Sequence, residues 1–101
     1  MLDKVPEELQ NYRREIDELD VEFVELLVRR FEIVKNVAAL KARTGMDVVQ
    51  SDRAEQVKQR ASDMADAQGL SGDFVRSLYE MMIDHAHVIE HDIVNERRSK
   101  G

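Results

Sequence analysis

"LLVRRFEIV", residues 26–34, lies inside the segment that decides the fold. Outward from it, Leu9, Tyr12, Ile16, Leu19, Phe23, Leu26, Ile33, Val37 and Leu40 alternate in steps of three and four, and Arg30 takes the beat where a leucine is expected. That is a heptad seam, one face of a long helix built to be covered. Pro6 suits a first helical turn, Glu7 and Glu8 complement its dipole, and Gly45 is a natural stop after Arg43 and Thr44. Helix 1 is therefore expected from about 6 to 43, roughly 55 Å at 1.5 Å per residue. Nothing else in 101 residues is long enough to pair with it. An equally long partner is wanted.

The stretch "TGMDVVQS", 44–51, is the one extended-looking connection. Helix 2 follows over about 52–67, with Asp52 and Glu55 as a variant capping box, Val57, Ala61, Met64 and Ala65 as a weak apolar face, and Gly69 as its stop. Ser71 caps helix 3, expected over about 72–95, whose buried face would be Phe74, Val75, Leu78, Met82, Ile89 and Ile93. "NERRSKG" at the end reads as a polar, frayed tail. Four glycines and one proline fit few, long helices. The expectation is a single all-α domain spanning 1–101, a three-helix protomer with one long N-terminal helix, forming an intertwined helical homodimer.

A net charge of −6 disfavours nucleic acid, because phosphate backbones need a basic surface. The absence of cysteine removes disulfides, thiolate metal sites and a thiol nucleophile. No apolar run reaches the ~18 residues of a membrane span, and "MLDKVPEELQ" lacks the regions of a signal peptide. A cytoplasmic protein without membrane contact is expected.

Cations on helix 1 point to the chemistry. Arg30 and Lys41 are eleven residues apart, three turns, and share the face of the seam. Burying either without a counter-charge costs several kcal/mol, so the ordinary reading is that each pairs with a carboxylate or snorkels to water. Arg13 lies 17 residues before Arg30, about 25 Å along the axis, beyond the span of any small ligand. Antiparallel packing of two copies removes the difficulty, since Arg13 of one chain then approaches Arg30 of the other. Arg53, opening helix 2, adds a third guanidinium. Such a set suits a compact dianion whose planar carboxylates take bidentate forks.

"YRREIDELDVEFVELLVRRFEIVKNVAALKARTG", followed by "DR" and "LYEMMIDHAHVIE", resembles the all-helical class of chorismate mutases over about residues 9 to 95. Arg13, Arg30, Lys41 and Arg53 at this spacing carry the resemblance. It implies an intertwined dimer with two sites in which these residues hold the carboxylates and ether oxygen of chorismate. The implied reaction is the cofactor-free pericyclic rearrangement of chorismate to prephenate, with charge stabilised at the breaking ether bond. Arg13 from the partner chain and Arg30 would clamp carboxylates, Lys41 and Glu90 would act at the ether oxygen, and Arg53 and Gln50 would close the ring side. Val37, Val48, Met82 and Ala86 would form apolar walls. Glu90 stands where the family has glutamine or a protonated glutamate, so it would work as an acid that keeps its proton.

Departures from the family pattern affect the ring substituent. Ala54 stands where many members have a glutamate facing the C4 hydroxyl, Ala86 where a serine often touches a carboxylate, and Gln50 where an aspartate is common. A lost hydrogen-bond partner of that kind costs ~1–3 kcal/mol. Two related activities on the same scaffold therefore stand beside the mutase: rearrangement of 4-amino-4-deoxychorismate, and isochorismate-pyruvate lysis. Association with another shikimate-pathway enzyme is open.

Two readings come from other classes. "HVIEH", residues 87–91, matches the H-x-x-E-H arrangement of some zinc peptidases, with His87 and His91 as ligands and Glu90 as base. The expected inner face holds Met82, Ala86 and Glu90, which would leave His85, His87 and His91 in solvent and the site without metal. The other is a coiled-coil dimerisation module, which explains the seam but not four cations along it.

Overall fold

The computed structural model describes residues 5–100, and these form three helices, with no strand among them: α1 Glu7–Thr44, α2 Ser51–Ala67 and α3 Gly72–Lys100. The two positive-φ glycines stand at the expected stops. Gly45 has φ 72° after α1 and Gly69 has φ 81° after α2, a left-handed conformation that glycine adopts without strain.

The described residues fall into two compact units, divided between Glu32 and Ile33. In the first, the seam is uncovered. Leu9, Tyr12, Ile16, Leu19, Phe23 and Leu26 are all exposed, Leu19 at 61%. A row of six large apolar side chains open to water is far more than scattered surface leucines explain.

The second unit holds α2 packed on α3. Ala61, Ser62 and Ala65 are the buried residues of α2, and these small side chains let the helix axes come close. The two helices run antiparallel, as their contacts show: Asp66 accepts from the Gly72 backbone N–H at 2.8 Å, Lys58 lies 3.9 Å from Glu80, and Arg76 donates to Glu55. Ser71 caps α3 as expected, accepting from the Phe74 N–H at 3.2 Å.

Three expectations need correction. Asp52 and Glu55 form no capping box, because Gln50 is the N-cap and makes no side-chain cap bond, while Glu55 is engaged by Arg76 across the helix pair. The tail is not frayed at 95: α3 continues to Lys100, with Arg97, Arg98 and Lys100 complementing its C-terminal dipole and Lys100 bonding Glu96 at 2.9 Å. The buried face of α3 is Ile83, Ala86, Glu90 and Val94; Phe74 is 58% exposed, and Val75, Leu78, Met82, Ile89 and Ile93 are half-buried. The period of the expected face was right and its phase was displaced towards Glu90.

Two stability predictions follow from the helix pair. A Cβ on Gly72 would meet the Asp66 carboxylate at 2.5 Å, pushing aside the group that satisfies the Gly72 N–H. Gly72→Ala is expected to lose about 1 kcal/mol of unfolding free energy in a denaturant titration. Glu55 is held below the usual carboxylate range, first by its hydrogen bond from Arg76, which outweighs the opposing effect of desolvation, and then by the charges of Arg76 and Lys58. A depressed carboxyl stabilises the fold above its unfolded titration and stops doing so as pH falls through the folded one. Glu55→Gln should thus lower Tm slightly at neutral pH and match the parent in acid; an equal gap at both pH values would refute the pairing.

Candidate active site

Lys41 and Glu90, 49 residues apart in sequence, meet in the second unit. The α2 partner of α3 begins at Ser51, and beyond that level long side chains bridge α3 to the end of α1 and the connection after it. There Lys41 Nζ lies 2.7 Å from Glu90 Oε1. The same ammonium donates to the carbonyl oxygen of Val48 at 2.7 Å. Both side chains are nearly withdrawn from water, at 12% and 7% exposure. A pair this shielded interacts far more strongly than a surface pair, and removing one member strands the other.

Around it, Val48 and Ala86 are buried, Met82 is half-buried and Val37 is 37% exposed. Of the residues expected to form apolar walls, Val48 and Ala86 are withdrawn from water and Val37 is open to it. Ala86 sits one turn before Glu90 on the same face, and its methyl offers no hydrogen bond. Gln50 turns back to the Asp47 carbonyl at 2.8 Å, and Arg53 donates to Gln56 Oε1 at 2.7 Å. Both are exposed, so neither is joined to the Lys41–Glu90 pair by a hydrogen bond. Ala54 is half-buried between them and α2's inner face.

Arg13 and Arg30 belong to the first unit. Arg13 is exposed and Arg30 is half-buried. The contact that sequence reasoning missed is the Val48 carbonyl. Val48 had a role only through its side chain, and a backbone acceptor leaves no mark on residue type.

The H-x-x-E-H stretch is split between two faces of α3. Glu90 is turned inward to Lys41 while His91 is exposed, and no three His, Asp or Glu side chains gather as metal ligands among the described residues. His85 is exposed and His87 is half-buried, so the expectation that all three histidines lie in solvent holds for two of them.

A family model described as chorismate mutase type II matches residues 12–91. The chain belongs to the type II chorismate mutase family. A 4-amino-4-deoxychorismate mutase from Streptomyces venezuelae is 35% identical over 92 residues, 91% of this chain and 88% of that protein. A chorismate mutase from Methanocaldococcus jannaschii is 21% identical over 95 residues, covering 94% and 96% of the two chains. The T-protein of Haemophilus influenzae is 27% identical over 84 residues, which is 83% of this chain but 22% of that one. The chain is thus an isomerase of the chorismate mutase type. No helix among the described residues is long and apolar enough to cross a membrane.

Proposed function

We propose that this protein converts chorismate to prephenate in two equivalent sites of a cytoplasmic homodimer, without a cofactor. The observation that carries this reading is the shielded Lys41–Glu90 pair, in which an ammonium is held out of water and aimed by its partner. In the rearrangement the ether C–O bond breaks as a C–C bond forms within the same molecule, and charge builds on that oxygen. Lys41 donates to it from one side. Glu90 accepts from Lys41 at Oε1, which holds the ammonium in place, and stands on the other side of that oxygen. Arg30 and the partner chain's copy of Arg13 bind the carboxylates, with Arg53 and Gln50 at the ring. The uncovered seam of α1 supports the dimer, since a second long helix is what such a face accepts. In aromatic biosynthesis, a shikimate-pathway partner would dock outside that seam.

Glutamine at 90 reproduces both contacts, with Oε1 accepting from Lys41 and Nε2 donating to the ether oxygen. The expected result is that Glu90→Gln keeps most of the activity. Loss of activity in a folded Glu90→Gln variant would refute this arrangement.

A second reading has its own support. The 35% relative is named for the amino substrate, and Ala54 lacks the carboxylate that would face a C4 hydroxyl. Chorismate, 4-amino-4-deoxychorismate and isochorismate should be compared by kcat/KM with the purified protein. Prephenate forming fastest bears out the main reading, preference for the amino substrate replaces it, and salicylate from isochorismate would mark a lyase. Turnover of none would refute the site.

A further inference from the structure

The last turn of α1 and the last turn of α3 together present three guanidiniums to one open pocket, lined by Ala42, Arg43, Arg97 and Arg98. Cations at helix C-termini are ordinary, because they answer the carbonyl end of the dipole. Their convergence here is not, in a chain of net charge −6. The side chains of Arg43 and Arg97 make no hydrogen bond or ion pair with another described residue. The carboxylate nearest in sequence, Glu96, is bonded by Lys100 at 2.9 Å, and it is held below the usual range first by that hydrogen bond and least by the charge of Arg97. Arg98 has one contact, a long 3.4 Å bond to the Met46 carbonyl. Three like charges facing one carboxylate that is shared with Lys100 repel, and an anion with several oxygens is the partner that reverses the sign.

We infer that this pocket binds a phosphate-type dianion, either free phosphate or the phosphoryl group of a small metabolite. Guanidinium forks match phosphate oxygens two at a time, so three arginines saturate the three oxygens of a phosphoryl group. The occupant ties the end of α1 to the end of α3. Through Arg98 it also reaches Met46, two residues before the carbonyl that Lys41 holds, so occupancy stiffens the connection between α1 and α2.

The test is a titration of the full chain with inorganic phosphate and with glycerol 3-phosphate, at constant ionic strength against sodium chloride, followed by amide NMR and calorimetry. Saturable shifts at residues 42–43, 46–48 and 97–98 are expected, together with a raised Tm. Tighter binding of the monoester assigns the site to a phosphorylated metabolite, and equal binding assigns it to phosphate itself. Arg43→Ser with Arg97→Ser should weaken either by on the order of tenfold or more while the helical spectrum is unchanged. A response no larger than that to chloride overturns the inference, as does one undiminished in the double variant.

Discussion

Replacing Lys41 by methionine is expected to lower kcat by on the order of 10²–10³-fold, the loss that follows removal of one preorganised donor at a developing oxyanion. The effect should be large because the ammonium works out of water, at 12% exposure, and is already aimed by two acceptors. Methionine keeps the length of the side chain and removes only the donor. It also strands Glu90 and the Val48 carbonyl, so some stability goes with the activity. The double change Lys41→Met with Glu90→Leu separates the two effects, because removing both buried partners restores stability without restoring turnover. Steady-state rates and denaturant midpoints on the parent and the two variants supply the check. Full activity in Lys41→Met with an intact fold would sink the mechanism.

Leu19→Asp with Phe23→Asp is expected to convert the protein to monomers and abolish activity. Two carboxylates in the middle of the uncovered seam would each have to be desolvated when a second helix covers it, at several kcal/mol apiece. Light scattering after size exclusion reads the mass directly. A companion experiment asks whether each site draws on both chains. Arg13→Ala and Lys41→Met should each be inactive as pure proteins. Unfolded together and refolded as a mixture, they should recover about a quarter of parental activity, since half the dimers are mixed and each has one intact site out of two. No recovery would place Arg13 and Lys41 in the same chain's site or Arg13 outside it.

How much of this was legible beforehand depends on the range of the interaction concerned. The seam from Leu9 to Leu40 announced α1 because periodicity is local, and Gly45 and Gly69 marked stops for the same reason. Glu55 was misread because the residue that claims it, Arg76, is 21 positions away and unrelated by any period. The end of α3 was misread because Arg97, Arg98 and Lys100 look like a solvated tail until the helix dipole and Glu96 are counted. Hydropathy alone ranks Phe74 and Met82 above Ala86 and Glu90 and so puts the apolar face of α3 off phase, whereas the family resemblance already turned Ala86 and Glu90 inward. Burial of Glu90 follows from Lys41, which no hydropathy scale contains. At the site, resemblance to the family supplied Lys41 and Glu90 as partners of a ligand, and the structure adds that they are partners of each other.

An ammonium has three protons. In the free protein Lys41 spends one on Glu90 and one on Val48, which leaves a third with its direction already set by the other two. The donor needs neither a new rotamer nor a moving loop to meet an incoming oxygen. Its ordering entropy was settled when the chain folded rather than at each encounter. Capture at this end of the ligand should therefore run at the speed of diffusion and charge steering, and the slow step of a catalytic cycle has to be sought elsewhere, in the bond rearrangement or in the departure of product.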